Sequence, residues 1–152
     1  MVPQEVTDSP ARIVIDTNVL VSGLLFGGVP GRLIDLGGQG RMRIIATRAI
    51  LQEYIRVLAY PKFKLTQLEI RGLLDEVILP LVEAVQINAV PAVVRADPSD
   101  DKFLAAAAAG SAEAIVSGDR HLLALKTYQG IPIETSAGLI RKLQASGLIP
   151  RA

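Results

Sequence analysis

Two aspartates that each follow a short apolar stretch indicate an acidic site at one edge of a sheet. The β-branched run 13–15 leads directly into Asp16, and the run 114–117 leads into Asp119 after one glycine. Continuous apolar runs of this kind are typical of strands buried on both faces in a parallel sheet. Open α/β sheets bind ligands beyond the carboxyl ends of their strands, where the strand order reverses. If the first and fourth strands flank that point, the two carboxylates meet in one crevice; alternatively, Asp16 only caps the following helix.

Two further acids are predicted on helices, each beside an apolar face. Asp101 lies in a predicted helix over 98–109, and the residues three, four and seven positions after it are apolar. Glu53 lies on or beside the apolar stripe of a predicted helix over 48–59. A carboxylate in such a place is costly unless it is paired or bound to a cation, although a glutamate at the edge of a stripe can also extend into solvent.

The other polar residues near these acids have structural as well as functional explanations. Asp97 and Asp100 fit the N-cap and the first turn of the helix over 98–109. His121 is the only histidine of the chain, and its two leucine neighbours favour a surface or packing role. Three residues can either hold water and orient the acids, or cap helices: Thr17, Asn18 and Ser117.

Four carboxylates without a histidine or cysteine cluster favour a hard cation. The chain contains no cysteine and one histidine. Mg²⁺ and Mn²⁺ prefer oxygen ligands and keep several waters. Carboxylates gathered without a cation would repel one another, which raises their pKa values. The predicted cofactor is therefore Mg²⁺ or Mn²⁺, and its predicted ligands are Asp16, Glu53, Asp101 and Asp119.

The elements that must position these acids alternate between strand and helix. The 152 residues suit a single domain, and the alternation predicts an α/β fold with a five-stranded, mainly parallel sheet flanked by helices. The domain is predicted over 11–147, between an N-terminal tail (1–10) and a C-terminal tail (148–152). Strands are predicted at 13–15, 43–46, 83–87, 114–117 and 131–134. Helices are predicted from 19, and at 31–36, 48–59, 67–79, 98–109, 121–125 and 136–144.

Several function classes are disfavoured by composition and by missing motifs. The formal net charge of +1 does not mark a nucleic-acid binder, so a phosphate-rich substrate would need local basic residues or metal ions. The glycine-rich segment 27–31 lacks the Gly-Lys-Ser/Thr of a phosphate loop. A phospho-receiver domain would need an aspartate after the third strand, where 86–88 reads Gln-Ile-Asn. No apolar run approaches the roughly 18 residues of a membrane span, and the lack of cysteine fits a cytoplasmic location.

Four segments, taken together, resemble a PIN domain. The segments come in the order and spacing of that family, and the resemblance extends over about residues 12–144. The chain looks most like bacterial PIN proteins described as toxins of toxin–antitoxin pairs, related to VapC-like toxins. The four segments are 14–20 (VIDTNVL), 51–54 (LQEY), 97–105 (DPSDDKFLA) and 115–123 (IVSGDRHLL).

The resemblance implies a ribonuclease that depends on Mg²⁺ or Mn²⁺, with in-line attack of water on an RNA phosphodiester. It assigns Asp16 and Asp119 to the main ion, with Asp101 bound directly or through water. Glu53 would bind a second ion or orient water. Many relatives have aspartate where this chain has His121, a departure expected to weaken a second metal site. The polar positions near the acids match Thr17, Asn18 and Ser117.

The resemblance also implies protein partners. Toxins of this family are silenced by a small antitoxin whose tail blocks the acidic cleft, and they often form homodimers. Two alternatives stay open: a housekeeping RNA-processing nuclease of the same fold, and a catalytically silent PIN fold that binds or regulates. The presence of all four acids argues against the silent protein, and a neighbouring antitoxin gene would separate a toxin from a housekeeping enzyme.

Overall fold

Parallel strands form the centre of the fold, and helices pack against them. The computed structural model describes residues 9–87 and 100–149. The strands are β1 (Ala11–Ile15), β2 (Met42–Ala46), β3 (Val82–Ala84), β4 (Ala114–Val116), β5 (Thr127–Tyr128) and β6 (Ile131–Glu134). The helices are α1 (Thr17–Phe26), α2 (Gly28–Gly38), α3 (Arg48–Leu58), α4 (67–81), α5 (Asp101–Ala109), α6 (Arg120–Leu125) and α7 (Ser136–Ala145). Within α4, an α-helical start (Gln67–Gly72) continues into a π-helical stretch (Leu73–Ile78) and a last turn (Leu79–Leu81).

Some sequence predictions concern residues outside the described ranges. The predicted N-terminal tail is described only from residue 9, and the predicted C-terminal tail only at 148 and 149. The proposed N-cap Asp97 and the start of the helix predicted over 98–109 also lie outside them. The described part of that helix is α5, which begins at Asp101.

The sheet has the strand order β3-β2-β1-β4-β6-β5. β1 pairs in parallel with β2 on one side and with β4 on the other, so the strand order reverses between β1 and β4. Ile13, Val14 and Ile15 are each at most 1% exposed, as expected for a strand covered on both faces. α5 packs against β1, β2 and β4, while α2 packs on β2 and α7 on β4. The predicted α/β fold and the predicted switch point between the first and fourth strands are both confirmed.

Among the described residues the sheet has six strands, one more than predicted. The additional strand, β5, has two residues and pairs antiparallel with β6. The turn between them places Gln129 and Gly130 at positive φ, 50° and 79°. Two consecutive positive φ values are typical of a tight hairpin turn, which usually carries Asn-Gly or Asp-Gly. This turn carries Gln-Gly instead, so the sequence does not indicate a hairpin and only β6 was predicted.

The first two helices are longer than predicted, and a single residue separates them. α1 starts at Thr17, directly after its N-cap Asp16, and the chain turns at Gly27, whose φ is 73°. α2 then begins at once and accommodates Pro30 in its first turn, where proline is tolerated. A Cβ on Gly23 would lie 2.9 Å from the Pro30 carbonyl, so this glycine allows the close approach of α1 and α2.

The third strand is shorter than its predicted range, 83–87. Among the residues that the structure describes, β3 pairs only with β2, in the register Ile44↔Val82 to Ala46↔Ala84. The partner strand ends at Ala46, whose carbonyl accepts the last ladder hydrogen bond from the Val85 amide (3.0 Å). A strand at the edge of a sheet cannot continue beyond its only neighbour, and this sets the end of β3.

Within the described residues, no single helix has the length and apolar character needed to cross a bilayer. Only α1 and α2 taken together pass that test, and the two are bent by 89° relative to each other.

Candidate active site

The pairing of β1 with β4 brings Asp16 and Ser117 side by side. The register places Ile15 opposite Val116, so the next residue of each strand projects at the same edge of the sheet. The Ser117 hydroxyl donates a hydrogen bond to Asp16 Oδ2. Asp16 Oδ1 accepts from the Val19 amide at 3.0 Å and so caps α1. The capping explanation and the functional explanation of Asp16 are therefore compatible in this structure.

Asp119 is linked to the same strand end through Ser117. The Asp119 amide donates to Ser117 Oγ at 2.9 Å, and Asp119 Oδ1 accepts from the His121 amide at 2.7 Å, which caps α6. Only the backbone of His121 takes part in this contact, and the residue is exposed. Like Asp16, Asp119 is thus fixed at the junction of a buried strand and a helix N-terminus.

Glu53 reaches the strand end from α3. Thr47 caps this helix, which buries an apolar face on β2 and places the half-buried Glu53 beside α1. The Thr17 hydroxyl donates to Glu53 Oε2. Glu53 Oε1 lies 2.7 Å from Lys102 Nζ and 3.3 Å from a guanidinium nitrogen of Arg56. Both carboxylate oxygens therefore contact donors of this chain.

Tyr54 anchors the strand end that precedes Asp16. Its ring is fully buried, and its hydroxyl donates to the Ile15 carbonyl at 2.5 Å, which links α3 to the end of β1. Burial raises the pKa of Tyr54 far above its usual value, and the negative charges of Asp16 and Glu53 raise it further. The phenol therefore remains a neutral hydrogen-bond donor at every physiological pH.

Burial shapes the electrostatics of Asp16, which is 6% exposed. The loss of solvent raises the pKa of this carboxyl above its usual value, and the nearby charge of Asp119 acts in the same direction. The hydrogen bonds from Ser117 and from backbone amides partly oppose this increase in pKa. A cation beside Asp16 would favour the ionised carboxylate, which is what a metal ligand must be.

Several of these side chains line one cleft of about 200 Å³, which we call the acidic cleft. Asp16, Glu53 and Asp119 line it, and the exposed Asn18 lies at its mouth. Asp101 is 3% exposed and is not part of this lining. The rest of the lining comes from Thr17, Arg56, Val57, Tyr60, Asp100 and Phe103.

The donors of the acidic cleft fit a hard cation, although they do not form a finished coordination shell. Across residues 9–87 and 100–149, no three Asp, Glu or His side chains come close enough together to make a metal-binding cluster. Mg²⁺ keeps several waters and is usually bound by only one or two carboxylates. Asp16 and Asp119 can supply such a pair of oxygen ligands, because both project from adjoining segments into the cleft.

A comparison with known protein families identifies the family of this chain. A family model described as the PIN domain matches residues 12–121. The chain belongs to the PIN-domain family. A comparison with curated proteins finds no match. PIN domains are typically nucleases and usually use divalent metal ions, so an acidic cleft at the switch point of the sheet is where the chemistry of a PIN domain is expected.

Sequence reasoning missed two residues that shape this PIN-domain cleft and gave a third a structural role only. Lys102 forms an ion pair with Glu53, and Tyr54 positions the end of β1. Asp100, interpreted from the sequence as a first-turn residue, lines the cleft. Lys102 and Tyr54 lie directly beside Asp101 and Glu53, and this adjacency was the available signal. Periodicity identifies the face of a helix, but it does not tell which long side chain reaches across to another helix.

Proposed function

We propose that this chain is a metal-dependent endoribonuclease that hydrolyses RNA phosphodiesters. The observation that carries the proposal is that Asp16, Glu53 and Asp119 line one cleft at the carboxyl edge of the sheet of a PIN domain. A cleft lined by acids repels a phosphodiester unless cations offset its charge. The arrangement therefore suits metal-assisted hydrolysis better than direct binding of a nucleic-acid backbone.

The residues have separate tasks in this proposal. Asp16 and Asp119 would hold Mg²⁺ or Mn²⁺, and Asp101, which is buried outside the lining of the cleft, would assist directly or through water. The bound ion would lower the pKa of water and offset the charge of the scissile phosphate. Ser117 fixes Asp16 through its hydroxyl, and Thr17 does the same for Glu53, which orients water or takes a second ion. Asn18 is at the cleft mouth, within reach of a bound substrate.

The biological role that we propose is the toxin of a type II toxin–antitoxin pair. Its basis is the resemblance to VapC-like toxins over the four segments that carry the acids. The proposal includes a cognate antitoxin whose tail enters the acidic cleft, a homodimer, and action in the cytoplasm. Co-expression with the product of a neighbouring gene tests the antitoxin, and light scattering of the purified protein tests the dimer.

One observation favours a second candidate, a catalytically silent PIN domain that binds or regulates. Lys102 and Arg56 both contact Glu53 Oε1, so this acid already has cationic partners within the chain. A protein of this kind would keep the cleft as a polar binding surface without hydrolysing RNA. A cleavage assay separates the two candidates.

The test is cleavage of a mixed, structured RNA pool by the purified protein with Mn²⁺, with Mg²⁺ and with chelator. We expect metal-dependent cleavage that falls by roughly 100-fold or more in Asp16→Asn, as when a central electrostatic group is lost. Asp35→Asn, on the exposed surface of α2, is the matched control and should keep full activity. Full activity of a folded Asp16→Asn protein would remove Asp16 from the site, and no cleavage by folded, metal-binding wild type would favour the silent PIN domain.

A further inference from the structure

A second concavity adjoins the acidic cleft, and its walls are aromatic. We call it the aromatic hollow; it has a volume of about 410 Å³, within the roughly 300–1,000 Å³ of small-molecule sites. Phe26 comes from the end of α1, and Phe63 from the short 3₁₀ turn Pro61–Phe63 after α3. The lining of the hollow includes Asn18, Phe26, Val57, Tyr60, Lys62 and Phe63.

Exposed aromatic rings are concentrated in this hollow. The whole chain has only three Phe and three Tyr and no Trp, and three of these six rings line it. Phe26 is 72% exposed and Tyr60 is 43% exposed. The rings of Phe26 and Phe63 contact each other at 6.2 Å between centroids with an angle of 53°. Large apolar groups left exposed side by side mark an interaction site more often than a purely structural surface.

The aromatic hollow and the acidic cleft are continuous. Asn18, Val57 and Tyr60 line both of them, so a ligand can occupy the two at once. The charged residue of the hollow is Lys62, whose Nζ lies 5.1 Å from the centre of the Phe63 ring. A flat apolar platform with a nearby cation, next to a site for a phosphodiester, has the chemistry that binds a base together with its backbone.

We propose that the aromatic hollow binds one unpaired nucleobase adjacent to the phosphodiester held in the acidic cleft. The base stacks on the rings of Phe26 or Phe63, and Lys62 contacts the neighbouring phosphate. A base inside a duplex is stacked on its neighbours and cannot enter, so the hollow takes an unpaired base. This deepens the proposed function and rests on it for the choice of RNA, whereas base binding itself can be measured without cleavage.

The test measures binding of a fluorescent single-stranded RNA octamer of mixed sequence by anisotropy. All proteins keep Asp16, and millimolar Ca²⁺ replaces Mg²⁺ so that a hard cation can still bind the carboxylates; each titration includes a check that the octamer stays intact. Phe26→Leu and Phe63→Leu keep an apolar side chain but remove the flat ring. We expect at least one of the two variants to weaken binding about fivefold or more, since a stacked base is worth at least that factor.

Three controls isolate the base. Leu68→Ala removes an apolar side chain that is 80% exposed on α4, away from the hollow, and should leave the Kd unchanged. Phe26→Tyr keeps a ring and should retain wild-type binding. An octamer of the same charge that lacks all bases should bind more weakly, and its Kd should be the same for the parent and for every variant. A duplex should also bind more weakly than the single-stranded octamer.

The proposal is overturned if both Phe→Leu variants bind the octamer as tightly as their parent. It is also overturned if these substitutions weaken binding of the octamer without bases as much as binding of the normal octamer. Absence of measurable octamer binding to the parent overturns it too. A hollow that takes an apolar side chain of a protein partner would give the first of these results. If wild type cleaves RNA but the ring substitutions do not change binding, only the proposal of base binding in the hollow is wrong. Binding that depends on the rings, without any cleavage, would instead contradict the proposed nuclease activity.

Discussion

Asp16 performs two tasks with its two carboxylate oxygens. Oδ1 caps α1 through the Val19 amide, while Oδ2 accepts from Ser117 and faces the acidic cleft. The cap favours a charged oxygen at a helix N-terminus, but burial raises the pKa of this carboxyl, so desolvation outweighs the hydrogen bonds. Residues at functional sites often lower the stability of the folded protein in this way.

We therefore expect Asp16→Asn to stabilise the protein when no metal is bound. A folded-state pKa above the unfolded value means that ionised Asp16 disfavours folding at neutral pH, and this cost disappears as the pH falls through the raised pKa. An asparagine can still accept from the Val19 amide, and its NH₂ can donate to Ser117 Oγ; the Ser117 hydroxyl then loses its acceptor, which offsets part of the gain. In chelator at pH 7 the Tm should rise by about 2–4 °C, the shift that about 1 kcal/mol gives in a chain of this size.

The difference in Tm between Asp16→Asn and wild type should narrow as the pH is lowered. Thermal scans of both proteins at several pH values, with Asp35→Asn as an exposed control, check this. A Tm below that of wild type at every pH would mean that the charged cap outweighs desolvation.

Lys102 controls the charge of the acidic cleft through Glu53. Its side chain is only 14% exposed, with Nζ 2.7 Å from Glu53 Oε1 and 4.9 Å from the centre of the Phe103 ring. Lys102→Met keeps most of this packing but removes a positive charge that repels a metal ion. We expect Mn²⁺ to bind more tightly by on the order of tenfold, or about 1.4 kcal/mol, in calorimetric titrations.

The matched control for Lys102 is Arg56→Met. Arg56 also contacts Glu53, at 3.3 Å, but its side chain is 65% exposed, so solvent screens its charge. We expect a smaller gain in Mn²⁺ affinity for this variant. Equal affinities for wild type and Lys102→Met would show that the ion binds away from Glu53.

At the scale of elements, the sequence predicted those features that local chemistry determines. The buried runs before Asp16 and Asp119 predicted both strand ends, and the helix predicted over 67–79 lies within α4. The features that escaped depend on contacts distant in the sequence. The end of β3 is set by β2, and the contact of Lys102 with Glu53 joins α5 to α3.

Gly110 shows how tightly one of these non-local contacts is packed. A Cβ on this glycine, which follows α5, would clash with Ile45 Cγ2 and lie 3.3 Å from Val85 Cγ1. Gly110→Ala should therefore push α5 away from the sheet and destabilise the fold by about 1–3 kcal/mol, the usual cost of overpacking. Urea denaturation gives the free energy of unfolding.

Gly72→Ala is the matched control for Gly110→Ala. Gly72 lies in α4, and nothing lies within 4 Å of a Cβ placed there. This substitution should stabilise the protein by roughly 0.5–1 kcal/mol, because alanine favours a helix over glycine. A neutral or stabilising Gly110→Ala would mean that Ile45 and Val85 rearrange at little cost.

At the scale of the whole molecule, one arginine ties together three elements beside the core of the sheet. Arg12 in β1 binds Glu83 in β3 with two hydrogen bonds, at 2.5 and 2.8 Å, and donates to the Gly110 carbonyl at the end of α5. The hydrogen bonds from Arg12 hold the pKa of the Glu83 carboxyl below its usual value of 4.5. None of these residues lines the acidic cleft, so this ion pair can be changed without altering the site.

We expect Glu83→Gln to make the fold less sensitive to acid. The depressed pKa means that ionised Glu83 stabilises the folded chain above about pH 4.5, and this contribution is lost as the pH falls through the lower, folded-state pKa. At pH 7 the variant should melt roughly 1–3 °C below wild type, a small effect because the pair is 32% and 40% exposed. The two melting curves should converge on acidification, whereas Glu76→Gln, on the exposed surface of α4, should follow wild type throughout. A constant difference in Tm from pH 7 down to pH 3 would mean that Glu83 acts through packing rather than through its charge.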